Sequence, residues 1–471
     1  MHEPASSPAP DAPTGSSAET GSSAETGSGA RSAAYSLLLT VAAGITGAAI
    51  LAAPPSFSVN DQSRWSTIRA LVDTGTYSIG RRYPLSNGRY RDRGIVSERG
   101  WHTVDMVMHP STGRFYSTKP TLLPTLLAGE YWLLREGLGW HMRRDRLAVS
   151  RTILFTINWL PFLLYLHLLA RLLERLGATD WGRLFVFTAA CLGTFISGFQ
   201  PSLNNHTVAA TGALFALYQC LRIQLDNDRR WWRFLLAGLC AGWTMCNELP
   251  AAALGAGLLL WLIRLSPRDT LRFALPAMLL PVAAYLYTQY EAFGSVVPTY
   301  SRTQWYLFDG SYWRNPTGVD RADESKLLYA FHLLGGHTGV LSLTPVLLLG
   351  WIGMVRTSVP GREKRTGGTL PRELAWLTLA LTVITFAFYV VRTNNYGGTS
   401  AGPRWFFWLV PLWLLTMLPQ ADRWARSPWR RRIAYLLLAV SIGSAMYALA
   451  NPWRHSWLFV LLRESGMVSY D

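Results

Sequence analysis

The chain has 471 residues, of which half are hydrophobic, 13% are aromatic and only 15% are charged. This composition is unusual for a soluble chain of such length, and burial in a membrane is the simplest explanation. The formal net charge of +16 could suggest nucleic acid binding, but the arginines lie in short clusters between apolar runs instead of on one basic module. We therefore assign the charge to membrane topology and to contacts with membrane lipids, and expect no nucleic acid partner.

The N-terminal segment differs in composition from the rest of the chain. Residues 1–32 are rich in Ser, Ala, Gly, Thr and Pro, and the sequence GSSAET occurs twice in succession. Such a segment cannot bury a core, so we expect a disordered cytoplasmic tail. The first apolar run, residues 33–53, has only Arg31 as a basic flank, which favours a signal anchor over a cleaved signal peptide.

Apolar runs recur along residues 33–471. The hydrocarbon core of a bilayer is roughly 30 Å thick and needs about 20 apolar residues per helix. The sequence predicts about eleven transmembrane helices, at residues 33–53, 148–171, 184–200, 207–222, 234–248, 250–264, 271–290, 338–355, 373–391, 404–419 and 433–450. The predicted fold class is an all-α polytopic membrane protein with one multi-pass domain.

Arginine content alternates between successive loops, and this alternation predicts the topology. Positive charge concentrates in short cytoplasmic loops, and five loops here carry roughly twenty Arg and Lys residues. The short intervening loops hold only Arg392 and Arg404. With the N-terminus inside, this pattern requires residues 121–140 to stay on the outer side as an interfacial or re-entrant segment. Large outer loops then cover about 54–147 and 291–337, and we expect the chemistry there.

The first outer loop opens with the sequence SVNDQSRWSTIRALVDTGTY, in which Trp65, Ile68 and Leu71 recur at helical spacing. The pattern predicts a short amphipathic helix that lies on the membrane and ends at Gly75. Asp61 stands at the start of this helix. Its carboxylate could simply cap the helix, or it could act as a general base for an acceptor hydroxyl or as a metal ligand.

The second string, FYSTKPTLLP, stands where the first outer loop returns to the membrane. Lys119 could pair with a lipid phosphate there, or it could extend to the membrane interface. Tyr116 in the same string is a candidate substrate contact. Upstream, WHTVDMVMHPSTGRFYS alternates like a hairpin around residues 110–113. His102, Asp105 and His109 could ligate a metal, but strand alternation would send 102 and 105 to opposite faces.

The third string, RTNNYGGTSAGPRWFFWLVP, is a Gly-rich outer turn that leads into a predicted span. Arg404 runs against the positive-inside trend, which favours a specific partner such as phosphate. The glycines allow close approach of a ligand, or form a tight turn between helices. Tyr396 is a further substrate-binding candidate. Glu248, in NELP on the same side, is the second candidate acid or metal ligand, with capping or structural pairing as the alternative.

In their order along the chain, VNDQSRW, STKPTLLP and GGTSAGPRW resemble the GT-C membrane glycosyltransferases, which include the lipid A aminoarabinose transferases and the protein O-mannosyltransferases. The resemblance covers about residues 33–420. It implies a polyprenyl-phosphate sugar donor, Asp61 in the position of the first-loop catalytic acid and Lys119 in the lysine-proline position that meets donor phosphate. It also implies Arg404 as a late phosphate-binding residue. Relatives often carry an acidic residue where this chain has NNH at 204–206, so the metal requirement stays unknown, with a divalent metal as one option.

The expected function is transfer of a hexosyl or pentosyl group from the lipid-linked donor to a lipid, glycan or protein acceptor on the extracytoplasmic face. The expected location is a bacterial inner (cytoplasmic) membrane. The alternative is a polytopic transporter or lipid flippase, which would place ionisable residues near the bilayer midplane and often show internal repeats. A noncatalytic scaffold would leave Lys119 and Arg404 unexplained. No P-loop or Rossmann fingerprint is present.

Overall fold

A computed structural model describes residues 19–321, 323–359 and 370–470. The chain is about 70% helical with little sheet. Its main helices are Glu19–Ala52, Arg146–Leu176, Asp180–Leu192, Asn205–Asp226, Trp231–Asn247, Ala252–Leu265, Pro267–Phe293, Leu347–Ser358, Arg372–Arg392, Val410–Trp424 and Pro428–Ala450. Shorter helices are Val59–Thr74, Leu122–Leu138, Lys326–Leu334 and Trp457–Glu464.

Seven helices are long and apolar enough to cross a membrane, as judged by length and composition: Gly29–Ala52, Arg146–Leu176, Asp180–Gly198, Asn205–Asp226, Pro267–Phe293, Arg372–Arg392 and Pro428–Ala450. The chain is therefore a multi-pass integral membrane protein, whereas the predicted count of eleven spans is not confirmed. The other four predicted spans coincide with shorter helices. One of these, Val410–Trp424, is almost entirely buried among its neighbours, as expected of a short core helix.

The first helix starts earlier than the sequence predicts. It begins at Glu19, whereas the disordered tail was expected to reach residue 32. Arg31 supplies a physical reason, because its guanidinium pairs with Glu174 and Asp180 at 2.8 Å each. These two partners lie far away in sequence, so the stabilisation is invisible in the local composition. The remainder of the expected tail, residues 1–18, lies outside the described residues.

Two glycines mark where the helices of the bundle approach most closely. A Cβ at Gly238 would lie 2.0 Å from the carbonyl oxygen of Ala274, and one at Gly353 would lie 1.8 Å from that of Thr416. Helices in membranes associate through close packing and hydrogen bonds, so small residues at their contacts are favoured.

The first loop, residues 54–147, contains two helices and a small sheet. In chain order the sheet comes between the two helices. We call Val59–Thr74 the first-loop helix, and it packs against the helix Leu122–Leu138. Between them, four antiparallel strands lie in the order β2-β1-β4-β3: β1 (Gly80–Pro84), β2 (Tyr90–Arg93), β3 (Met106–Met108) and β4 (Arg114–Ser117). The β3–β4 hairpin is the one predicted around residues 110–113. The chain is therefore mostly helical with little sheet, where the sequence predicted an all-α class. Strands β1 and β2 were not predicted, because such short strands carry a weak sequence pattern.

The first-loop helix is more deeply buried than the sequence predicts. It ends as expected at Gly75, whose φ is +67°. However, polar residues such as Ser63 and Thr67 are buried along with Trp65 and Ile68. The reason is the neighbouring hairpin, since the Ser63 hydroxyl donates to the Asp105 carbonyl at 2.6 Å. The helix is therefore a core element of the first loop rather than an open amphipathic helix.

The second loop, residues 291–337, docks onto the first. The Trp313 indole donates to the Val104 carbonyl at 2.9 Å, and Arg82 donates to the Asp309 carbonyl at 2.6 Å. The two segments predicted to share one side of the membrane thus form one contiguous cap.

Candidate active site

Lys119 lies just after β4, at the turn into the helix Leu122–Leu138. Its ammonium group pairs with the Asp105 carboxylate at 2.8 Å, and the two side chains are only 14% and 11% exposed. Lys119 therefore points into the protein instead of extending to the membrane interface. The hairpin explains why Asp105 lies beside Lys119, because strand pairing brings residue 105 opposite the end of β4.

Arg404 opens the short 3-10 turn Arg404–Leu409 before the next helix. It is 8% exposed, donates to the Nε2 of His206 at 3.1 Å and also donates to the Gly397 carbonyl. Its Nε is buried and has no hydrogen-bond partner. Within the described residues, no carboxylate lies within salt-bridge distance of this guanidinium, so its hydrogen-bond partners are neutral, although Asp105, Glu248 and Asp320 attract it from farther away.

A hydrogen-bond network connects Arg404 to the first-loop helix. Arg64 of that helix donates to the side-chain oxygen of Asn205, and Asn205 donates to the Glu248 carboxylate at 2.8 Å. Glu248 in turn bonds to the Nδ1 of His206, whose Nε2 accepts from Arg404. The arrangement fits a neutral imidazole with its proton on Nδ1. Glu248 thus makes the structural pairing that was the alternative to a catalytic role.

Three cations meet at this site from separate parts of the chain: Lys119, Arg64 and Arg404. They are close enough to repel one another electrostatically. Burial lowers the pKa of Lys119 to about 8, although Asp105 opposes the shift, and burial together with Arg404 lowers the pKa of Arg64 to about 10. Like charges buried together are costly, and the carboxylates of Asp61, Asp105 and Glu248 oppose this repulsion. An anion bound between the three cations would oppose it further. Guanidinium and ammonium groups both bind phosphate through charge-assisted hydrogen bonds.

Asp61 caps the first-loop helix, as one of the two sequence interpretations predicts. Its Oδ1 accepts from the Ser58 N–H at 3.0 Å and from the Ser56 hydroxyl at 2.9 Å, and its Oδ2 accepts from the Phe57 N–H at 3.1 Å. The residue is 1% exposed. Burial raises the pKa of Asp61, while the two backbone N–H groups oppose the rise. Its carboxylate also interacts electrostatically with Arg64, which places it at the edge of the cation site.

The two predicted tyrosine contacts have different surroundings. Tyr116 is buried, packs its ring 5.2 Å from that of Phe293 and borders the same small cavity as Lys119. Tyr396 has a positive φ of 51° and directs its hydroxyl to the Glu324 carboxylate, away from the cations. Only its backbone neighbour Gly397 contacts Arg404.

The metal set that the sequence offered in the first loop is not assembled. Asp105 pairs with Lys119, and the ring of His109 lies 4.7 Å from that of Trp305. Among the described residues, the group of three whose ligand atoms lie close together is Glu324, His332 and His337.

Arg64, Asp105 and His206 also belong to the site. The sequence did not single out Arg64 or His206, and it offered Asp105 only as a metal ligand. For Arg64 the sequence holds one signal, which is its position one helical turn after Asn60. In the structure Arg64 donates to the side chain of Asn60 at 2.8 Å. The contacts of His206 could not, because Glu248 and Arg404 reach it from distant segments.

No protein-family model and no characterised protein sequence matches this chain. Solved structures do match. ArnT from Cupriavidus metallidurans in the apo state has a TM-score of 0.46 and 13% identity over 88% of this chain and 75% of that one. The oligosaccharyltransferase AglB from Archaeoglobus fulgidus, in complex with an inhibitory peptide and a dolichol-phosphate, has a TM-score of 0.44 and 12% identity over 90% of this chain. An oligosaccharyltransferase from Archaeoglobus fulgidus tethered with an acceptor peptide has a TM-score of 0.45 and 14% identity over 88% of this chain.

The neighbours are membrane glycosyltransferases of the GT-C superfamily, the family that the sequence motifs resemble. This chain spans 56% of the archaeal AglB chain. At identities of 12% to 14%, the likeness by itself assigns the chain no activity.

Proposed function

We propose that the protein is a glycosyltransferase that moves a sugar from a polyprenyl-phosphate donor to a lipid, glycan or protein acceptor, on the extracytoplasmic face of a bacterial inner membrane. The observation that carries the proposal is the buried meeting of Lys119, Arg64 and Arg404, in which both guanidinium groups have only neutral hydrogen-bond partners. Two of these cations come from the first loop, and Arg404 comes from the turn at residues 392–404. A lipid-linked phosphate would be held between them at the membrane boundary.

In the reaction, an acceptor oxygen attacks the anomeric carbon of the donor sugar. The bond from that carbon to the phosphate oxygen breaks, and the phosphate leaves with the electron pair. Lys119, Arg64 and Arg404 stabilise the negative charge that the phosphate gains. Asp61 accepts the proton from the acceptor hydroxyl, and Glu248 is the second candidate for this role. Tyr116 contributes to the wall of the donor site beside Lys119.

A transporter or flippase accounts less well for the positions of the charges. Lys119 and Arg64 lie in the first loop, and Arg404 lies at the start of a helix rather than midway along one. A substrate pathway through the bilayer requires polar groups near its midplane.

The proposal is tested with purified protein and a panel of polyprenyl-phosphate sugars, measuring release of polyprenyl phosphate with and without acceptor lipids. We expect one donor to be consumed with release of the lipid phosphate. In proteoliposomes, movement of a donor between leaflets without its cleavage would favour the flippase instead.

The topology provides a separate prediction. Cysteines introduced at Ser86 and Glu136, both exposed, should react with an impermeant thiol reagent added to the outer side of intact cells or spheroplasts. A cysteine at Arg229, in an arginine-rich loop, should react only after permeabilisation. The parent protein is the control, since its four cysteines lie within helices and none pairs in a disulfide. Protection of Glu136→Cys that permeabilisation lifts would place the helix Leu122–Leu138 across the membrane.

Donor binding should depend on pH through Lys119. The pKa of its buried ammonium is lowered to about 8, so the charge is present below that pH and is lost as the pH rises through it. Affinity for a polyprenyl-phosphate should therefore fall between about pH 7.5 and 9.5. Lys119→Arg keeps its charge over this range and should flatten the profile. Equal pH profiles for the parent and Lys119→Arg proteins would remove Lys119 from the donor site.

A further inference from the structure

A second polar cluster, which contains two buried histidines, lies in the second loop and takes no part in the proposed reaction. It consists of Glu324, His332 and His337, each of which offers one ligand atom within 4.8 Å of the other two. His332 and His337 are 7% and 0% exposed, and their rings lie 4.1 Å apart. Two imidazoles and one carboxylate are a donor set that proteins use for zinc.

The chain is folded locally in a way that brings the two histidines together. His332 lies near the end of helix Lys326–Leu334, and the following Gly335 and Gly336 return the chain so that His337 faces it. A Cβ at Gly336 would lie 2.2 Å from the Nδ1 of His332, so only glycine leaves room for the ring. Four residues separate the histidines, which falls within the H-x3–5-H spacing of zinc ligands.

Both histidines have a buried nitrogen without a partner. The Nδ1 atoms of His332 and His337 make no hydrogen bond. Buried polar atoms are rarely left unpaired in folded proteins, so these two require an explanation. A neutral imidazole presents the lone pair that a metal ion needs.

The surroundings select the ligand form of His337. Its Nε2 lies 2.5 Å from the Tyr470 hydroxyl, and that hydroxyl donates to the Glu324 carboxylate at 2.7 Å. Because the Tyr470 proton is directed to Glu324, the Nε2 of His337 must carry its own proton and donate it. Its Nδ1 therefore keeps a free lone pair. Second partners of this kind orient the ligands of metal sites.

We propose that Glu324, His332 and His337 bind one Zn²⁺ ion. Imidazole nitrogens favour zinc over Mg²⁺ and Ca²⁺, which take oxygen ligands. Tetrahedral zinc ligands stand ~3.4 Å apart, so the cluster closes around the ion by small side-chain movements. The ion ties the second loop to Tyr396 and Tyr470, whose hydroxyls both bond to Glu324. Because Tyr396 precedes the Gly397 that accepts from Arg404, the ion also steadies one wall of the cation site.

The test uses full-length protein in detergent, stripped with a chelator, reloaded with zinc chloride and separated from free ion. We expect elemental analysis to find one zinc per chain and a melting temperature that rises with zinc. His332→Ala, His337→Ala and Glu324→Gln should each lose most of the retained zinc. His455→Ala is the matched control, since His455 stacks on Phe459 at 4.1 Å beside the cluster but offers it no ligand.

His337→Cys replaces one zinc ligand by another and should retain the ion, which separates loss of a ligand from loss of folding. Absence of zinc from the reloaded parent protein, or equal zinc in the parent and all three ligand variants, would overturn the site. Neither measurement requires sugar transfer, so the zinc site and the proposed activity stand or fall separately.

Discussion

Asp61→Asn is expected to reduce sugar transfer about a hundredfold to ten-thousandfold, because a positioned general base contributes that much to a rate. The amide cannot accept a proton from the acceptor hydroxyl. Donor binding should change little, since Asp61 has no direct contact with Lys119 or Arg404 among the hydrogen bonds of the site. The measurement is the single-turnover rate with saturating donor, together with donor affinity.

The capping role of Asp61 calls for a matched control. Oδ2 accepts from the Phe57 N–H, so an amide nitrogen in that place would leave a buried donor unpaired, at a cost of about 1–3 kcal/mol. Ser58→Ala removes the other half of the cap, in which the Ser58 hydroxyl accepts from the Asn60 N–H at 3.0 Å, at a typical cost of about 1 kcal/mol. It should keep transfer within a fewfold of the parent rate. A comparable loss in both variants would assign Asp61 to the helix alone, and near-parental transfer by Asp61→Asn would make Glu248→Gln the next variant.

Arg404→Met and Lys119→Met are each expected to weaken binding of a polyprenyl-phosphate about 10- to 100-fold. A hydrogen bond to a charged group contributes about 1.5–3 kcal/mol, and 1.4 kcal/mol corresponds to tenfold in affinity. If both cations hold one phosphate, the double variant should lose less than the sum of the two single losses. Titration calorimetry with a short-chain polyprenyl phosphate measures all of these affinities.

Two further variants separate binding from folding. Lys119→Met strands the Asp105 carboxylate, so Lys119→Met combined with Asp105→Asn removes both charges of the 2.8 Å pair. Arg314→Met is the control for charge alone, since Arg314 is exposed and pairs with Asp309. Unchanged affinity in both Arg404→Met and Lys119→Met would refute the phosphate site.

Much of the helical arrangement could be predicted because it follows from local patterns. Each of the eleven apolar runs coincides with a helix, and the hairpin follows from alternation around the turn at residues 110–113. The span count could not be predicted, because an apolar run looks alike whether it crosses a bilayer or fills a short buried helix such as Val410–Trp424. The early start of the first helix also escaped prediction, since it depends on Arg31 reaching Glu174 and Asp180.

For the site, the sequence indicated Lys119, Arg404, Asp61 and Glu248, but neither their partners nor Arg64 and His206. Lys119 and Arg404 were recognisable from their position beside the membrane, yet the salt bridge of Lys119 to Asp105 depends on strand pairing. The role of His206 depends on contacts across 42 and 198 residues of sequence. Periodicity reports only near neighbours, so long-range polar contacts of this kind require the fold.

His206 has consequences for how this protein can diverge. One imidazole serves Glu248 through Nδ1 and Arg404 through Nε2, so no residue with a single polar end could replace it. Without the imidazole, the Glu248 carboxylate would keep the hydrogen bond from Asn205 and the Arg404 guanidinium would keep the one to the Gly397 carbonyl, but each would lose its bond to residue 206. We therefore expect positions 206, 248 and 404 to change together among homologues, because a substitution at any one of them breaks a hydrogen bond of another.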